Sequence, residues 1–385
     1  MTEVTRNKNQ HKAIWSPVID YLGLGGLSVI VAVGALVFLP PSHQWWEQFS
    51  RALAVESGLQ GPHGGRFDSL TLFWLLTIII NHPHFMASYR LLYRSREQIQ
   101  TYKWSSMRVP IILAMLSIVV MLSTSTGSTP DGTAGWSLGS ALYLVMSIGL
   151  ILYLGWHYNL QAWGIIAAYL FLGGIRLDRQ EKWMIKGGAL VLVGVHGLLY
   201  LASSPLMEYS PGFVSFCVSV TPYVPVIVFP FFIMGGLGFY RTAKRTGKQI
   251  PVNAVVPFVA IYMWYFVILS YHDVIGVMVF VQLAHALQYL VVTTRVEANV
   301  ATAKRGTSGV LFSLLVYTIL LATGYLVLEL PGVVGMKVET AVAYHSFVEM
   351  LVVSINLHHF FVDGAIWKIS NPAVRKDLFA HLEAG

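Results

Sequence analysis

Ten long apolar runs dominate this chain, and their lengths leave few folds open to it. They fall at about 17–39, 69–93, 109–125, 137–172, 187–204, 213–240, 252–271, 275–294, 308–330 and 339–362. Most approach the ~20 residues an α-helix needs to cross a bilayer core. A soluble domain carries about 25% charged residues, whereas here 11% are charged and 55% are hydrophobic. The expected fold is all-α: a polytopic integral membrane helix bundle of about ten transmembrane helices. The fourth run is too long for one straight span, which predicts a tilt, an interfacial extension or a break near Gly155.

The loops give an independent signal. Basic residues fall in the N-terminal tail (Arg6, Lys8, Lys12) and after the second run (Arg90, Arg94, Arg96, Lys103, Arg108). They recur after the fourth (Arg176, Arg179, Lys182, Lys186), the sixth (Arg241, Lys244, Arg245, Lys248) and the eighth (Arg295, Lys304, Arg305), and in the C-terminal tail (Lys368, Arg375, Lys376). The intervening loops are poor in Lys and Arg, apart from the mixed stretch 40–68. This alternation is the positive-inside pattern for ten spans with both termini cytoplasmic. The organisation expected is a tail at 1–16, one transmembrane domain at 17–368 and a second tail at 369–385. The first run reads as a retained span rather than a signal peptide, and the expected location is a bacterial inner membrane. The net charge of +7 belongs to these clusters and does not imply nucleic acid. Arg90 and Arg94 read as headgroup anchors, and Tyr102, Trp104, Trp136 and Trp183 as an aromatic belt. The segment 43–60, with Trp45, Trp46 and Phe49, reads as either an interfacial amphipathic helix or an ordinary loop.

Inside the runs the ionisable outliers are mainly histidines: His82, His84, His157, His196, His285, His345, His358 and His359, with His272 at a span end. Such residues are costly in a membrane and mark functional sites. Measured from the first basic residue of each span, His84, His82, His285, His358 and His359 lie about 9–15 Å deep, at one level on three helices. His157 lies deeper and joins them if its helix breaks. On the tenth run His345, Glu349, Asn356, His359 and Asp363 form one polar stripe. Pro83, between His82 and His84, predicts a kink that lets those two rings converge. Gln282, His285 and Tyr289 share one face, as do His157 and Gln161. For His196 and His345 a plain interhelical hydrogen bond is the simpler reading.

Cys217 is the only cysteine, so no thiolate cluster is available. No dinucleotide, P-loop, HExxH or GxSxG pattern appears. Histidine-rich sites with carboxylate help suit iron, copper or zinc. A centre inside a membrane implies a lipophilic small-molecule substrate, such as an acyl lipid, isoprenoid or carotenoid. Two non-haem irons are expected, with His82, His84, His157, His285, His358, His359 and Asp363 as ligands. Glu349 and Tyr289 are expected to relay protons. The activity expected is that of an oxygenase, hydroxylase or desaturase, and a reductive reaction would need a separate electron donor.

In size and in its scattered intramembrane histidines the chain resembles the polytopic histidine-rich membrane non-haem iron oxygenases. Among them it is most similar to the Brp/Blh-type β-carotene dioxygenases. It departs from the desaturases and alkane hydroxylases, whose HxxxH and HxxHH boxes have no counterpart in Asn81-His82-Pro83-His84 or His358-His359. The resemblance implies a class of chemistry and no substrate. Two alternatives stay open: a haem b electron-transfer protein, with Arg90 facing a propionate, and a proton-coupled transporter using His82, Glu349 and Asp363.

Overall fold

A computed structural model describes residues 13–38, 69–124, 138–203, 211–271, 274–305, 308–337, 342–367 and 372–383. The stretch 40–68, the loop 126–136, His272 and the side chain of His345 lie outside the described residues. Among the described residues every regular element is helical. Helix α1 is Pro17–Phe38, and α2 runs from Ser69–Leu76 through a π turn, Thr77–Asn81, into His82–Leu92. Helix α3 joins a π turn, Trp104–Arg108, to Val109–Thr124. Then follow α4 (Leu138–Leu172), α5 (Arg179–Ser203), α6 (Pro211–Thr246), α7 (Val252–Tyr271) and α8 (Val274–Arg305). Helix α9 runs from Gly309–Gly324 through a π turn, Tyr325–Glu329, into Leu330–Lys337, and α10 is Val342–Ile366. A short α11 (Pro372–Glu383) closes the described chain.

Within the described residues each apolar run lies on one helix. Among those residues six helices (α1, α3, α4, α5, α6 and α9) are long and apolar enough to cross a membrane by length and composition. Their outward side chains agree with that. Val226, Phe229 and Leu237 on α6, and Leu311, Leu314 and Leu315 on α9, are exposed. So continuous an apolar surface would be a liability in water but is at home against acyl chains.

Several helices outrun the apolar windows that announced them. Helix α8 continues from 294 to Arg305, α6 from 240 to Thr246 and α9 from 330 to Lys337, while α5 begins at Arg179 rather than 187. A charged residue ends a hydropathy window without ending a helix. Several basic residues near these helix ends pair across helices. Arg90 grips Glu297 of α8 through two hydrogen bonds, 2.9 and 3.0 Å. Arg94 reaches Asp377 of α11 at 2.5 Å. Arg245 of α6 binds Glu181 at the start of α5. Asp178 and Glu181 form a reciprocal capping box before that helix.

Polar bridges fix how α1, α4, α7 and α8 pack. The buried Asp20 carboxylate accepts the backbone N–H groups of Ile14 and Trp15 and the hydroxyl of Tyr169 from α4. The Leu-Gly-Leu-Gly-Gly turn at 22–26 opens the backbone of α1, with Gly25 at φ 148°. A Cβ at Gly25 would lie 2.8 Å from that of Ala260 on α7, so the position needs glycine both for its dihedral and for close approach. The Leu24 carbonyl accepts from Gln288 of α8 at 2.8 Å. The N-terminal segment is also tied to the far end of the chain. His381 Nε2 lies 2.9 Å from the Ala13 carbonyl, while its Nδ1 lies 3.2 Å from the Asn299 amide.

The burial of this ring makes the docking of α11 pH-sensitive. Both N–H groups of the Asn299 amide serve the Asp377 and Leu378 carbonyls of α11, at 2.9 Å each. Burial holds the His381 imidazole below the usual histidine range, outweighing the opposing bond to Ala13, and the Arg295 charge adds to the depression. The neutral form is thus favoured in the folded state. The stabilisation is full above the unfolded value of about 6.5 and declines as pH falls below it. Hydrogen-exchange protection of 372–383 should drop between about pH 7.5 and about pH 5.5, and a His381→Gln variant should lose that dependence. Equal protection at both pH values would refute the coupling.

Candidate metal centre

Proline chemistry sets up the helix carrying the first histidine. Pro83 has no N–H for the carbonyls one turn before it. Helix α2 answers with the π turn at 77–81, and the hydroxyl of Tyr317 on α9 donates to the Ile79 carbonyl at 2.5 Å. The helix continues through this point, so His82 and His84 keep their ~200° separation and point to opposite sides. His84 faces the bundle interior. His82 faces α9, where its Nε2 lies 3.3 Å from Glu329 and its Cβ packs against Gly324.

The interior side of His84 meets three other imidazoles. His84 of α2, His157 of α4, His285 of α8 and His359 of α10 bring one ligand atom each within 4.8 Å of one another, and all four are buried. The rings form a closed circuit. Centroids are 4.9 Å apart for His84–His285, 4.4 Å for His285–His157, 5.1 Å for His157–His359 and 4.4 Å for His359–His84. Each ring stands edge-on to the next, while His84 and His157 face each other nearly parallel at 6.2 Å. Asp363, one turn beyond His359, places Oδ2 3.6 Å from His157 Nε2 and 3.5 Å from His359 Nε2.

The donor atoms lack protein partners. Both ring nitrogens of His84, His285 and His359, Nε2 of His157 and Oδ2 of Asp363 are buried without a hydrogen bond. Buried polar atoms are nearly always paired, and leaving one bare costs about 1–3 kcal/mol. So many bare atoms converging on one point make sense if the point holds an ion. The size is right for one. Metal–imidazole bonds of about 2.1 Å put opposite nitrogens about 4.2 Å apart, so a small inward movement closes the set. The four imidazoles form a group that could hold a metal ion, with the Asp363 carboxylate beside it.

The surroundings hold these donors in place. Gln161, one turn past His157, donates to the His285 carbonyl at 3.0 Å and bridges to Gln288, locking α4 to α8 beside the site. Asp363 Oδ1 accepts from Ser88 at 2.7 Å and from Tyr289 at 2.9 Å. Phe85 packs on His359, Tyr158 on His285 and Phe360 on His157, with centroids 4.3, 4.4 and 4.8 Å apart.

The structure thus brings His84, His157, His285, His359 and Asp363 together, with Tyr289 beside them, its ring 4.6 Å from that of His84. It does not bring His82, His358 or Glu349. His358 Nε2 donates to the Ser105 carbonyl at 2.6 Å. In the π turn of α3 that carbonyl would be served by residue 110, which is a proline, so His358 replaces a missing backbone donor. Glu349 lies ten residues from His359, about 15 Å along α10, and accepts from Tyr143. His196 sits apart with Nδ1 on the Tyr265 hydroxyl at 3.0 Å.

His157 needs no break in its helix. Helix α4 is continuous over 35 residues, and Gly155 serves instead as the seat of His196, whose Cβ lies 2.9 Å from where a Cβ at 155 would be. His84, His157, His285 and His359 lie eight, fifteen, twenty and seven residues from the ends of their helices, so distance along the chain to a basic residue or to a helix end does not give their common level. Ser88 and Trp367 were not anticipated. The spacing of four residues from His84 to Ser88, and from His359 through Asp363 to Trp367, is the signal that points to both.

No protein-family model, curated protein or solved structure matches the chain.

Elemental analysis of the purified protein tests the division of the histidines. The native chain should retain close to one transition-metal ion, and His157→Ala or His285→Ala should lose it. His82→Ala should keep the metal. His358→Ala should also keep it but unfold more easily, by about 1–3 kcal/mol, for the bare Ser105 carbonyl.

Proposed function

We propose that the chain is a membrane-embedded metalloenzyme, an oxygenase, hydroxylase or desaturase, with one non-haem iron held by His84, His157, His285 and His359. The observation that carries this reading is the closed circuit of four buried imidazoles with unpartnered nitrogens. Iron bound there would supply the means to activate O₂. A redox metal fits the location better than a hydrolytic one, because acyl lipids, isoprenoids and carotenoids consist mainly of C–H and C=C bonds. Neutral imidazole and carboxylate donors suit iron, and the lone thiol, Cys217 on α6, is not among the donors. The four histidines hold the ion, and Asp363 offers a fifth donor. Ser88 and Tyr289 orient that carboxylate. Phe85, Tyr158 and Phe360 wall the site with apolar surface and keep water from it.

The same packing argues against haem. Phe85, Tyr158 and Phe360 occupy the space around the imidazoles that a flat macrocycle would need, and Arg90 is engaged by Glu297 rather than open to a propionate. The transporter reading loses its path, because His82, Glu349 and Asp363 have separate partners: Glu329, Tyr143 and the Ser88–Tyr289 pair. The likeness to Brp/Blh-type dioxygenases remains one of size and histidine content, and it supports a carotenoid or related isoprenoid as the first substrate class to try.

We also read the bundle as ten spans with both ends cytoplasmic, on the alternation of basic loops. Reporter fusions at the two ends should both register inside the cell, and opposite signals would remove one span.

For the activity, detergent-solubilised protein loaded with Fe(II) should consume O₂ when given a lipophilic substrate from a panel of acyl lipids and carotenoids. His285→Ala should reduce the rate at least a hundredfold, by loss of a ligand. Full activity in chelator-stripped protein would sink the proposal.

A further inference from the structure

Helix α10 carries His359, Asp363 and Trp367 at intervals of four residues, so all three lie on one face. Trp367 ends the helix, with its backbone N–H on the Asp363 carbonyl. Its indole Nε1 donates to the Tyr289 hydroxyl at 2.8 Å, and the two rings meet edge to face at 5.5 Å. The Tyr289 oxygen lies 2.9 Å from Asp363 Oδ1 and 2.6 Å from Ser88 Oγ, and Ser88 Oγ lies 2.7 Å from the same Oδ1. Three oxygens therefore form a triangle that shares only the two hydroxyl protons of Tyr289 and Ser88.

The indole decides how those protons are used. An indole N–H donates and cannot accept. By donating to the Tyr289 oxygen it competes there with Ser88. Ser88 is left to donate to Asp363 Oδ1 at 2.7 Å, and Tyr289 donates to Ser88 Oγ at 2.6 Å or to Oδ1 at 2.9 Å. Oδ1 is engaged in either case, while Oδ2 has no hydrogen bond and faces His157 and His359. Its distances of 3.5–3.6 Å to their Nε2 atoms are near those between neighbouring ligands of one ion.

We infer that Trp367 is a positioning residue of the metal centre, setting the proton order of the Tyr289–Ser88 pair so that Asp363 presents Oδ2 as the fifth ligand. This rests on the metal reading above. Trp367 also lines an open cleft with Leu91, Arg94, Tyr102 and Asp377. The cleft lies where α2 and α10 end against α8 and α11, so Trp367 links the candidate centre to this face of the bundle.

Cobalt(II) reports ligand number directly, because its visible bands weaken on going from four to five ligands. The full chain, purified in detergent and stripped with chelator, is titrated with Co²⁺. The native protein should bind one ion with weak, five-coordinate bands. Trp367→Phe keeps an aromatic ring against Tyr289 but loses the N–H. It should bind Co²⁺ about tenfold more weakly and show the stronger bands of four ligands. Trp367→His, which restores a ring N–H, should recover part of both, whereas a packing effect alone would make His the worse replacement. If the Phe variant fails to fold, Trp367→Leu against Trp367→His gives the same comparison. A Trp367→Phe protein with the native spectrum and affinity overturns this inference and leaves the metal centre standing. Native protein that binds no Co²⁺ overturns both.

Discussion

The structure turns on the convergence of four imidazoles in an interior where each bare nitrogen is expensive. They come from α2, α4, α8 and α10, and the nearest ring pairs stand only 4.4 Å apart. Much of the polar detail elsewhere in the bundle keeps these helices at the right height and rotation. Gln161 ties α4 to α8 within a turn of two ligands, and Gln288 extends the link to the opened backbone of α1. Arg90, two residues beyond Ser88, clamps α2 to α8. Asp20 joins the N-terminal segment to α4 through Tyr169.

Prolines place the donors indirectly. Each removes a backbone donor, and in α2 and α3 the helix answers with a π turn and an outside partner. For Pro83 the partner is Tyr317, for Pro110 it is His358. Tyr93 likewise serves the Ser106 carbonyl beside Pro110. A histidine that sequence alone makes a metal ligand is thereby consumed by helix repair. Its neighbour His359, about 100° further round the helix, is the one that reaches the centre. Adjacent histidines on an unbroken helix cannot both serve one ion.

Membrane character was legible early because hydropathy and loop charge are local properties. The depth of the site was partly legible. His84, His285 and His359 were placed at one level, and Asp363 fell on the stripe of His359. His157 is not legible as a neighbour of the other three, because distance along the chain to a basic residue does not fix where helices of different length and tilt meet. Ser88 and Trp367 are not legible in the sequence, because a serine inside a span and a tryptophan at its end have commonplace roles, and only their spacing from a histidine of the cluster distinguishes them.

The sequence by itself determined that this chain builds a helical membrane bundle, since apolar runs of this length can satisfy their backbone in lipid in no other open arrangement. It also determined that histidine, not cysteine, would supply any metal. Only the tertiary structure decided which histidines come together. A helix fixes the angle between His82 and His84, or between His358 and His359, but not which of each pair turns inward. That choice rests on contacts made across helices far apart in the chain: Glu329 drawing His82 outward, Ser105 engaging His358, and Ser88 with Tyr289 holding Asp363 toward the remaining four.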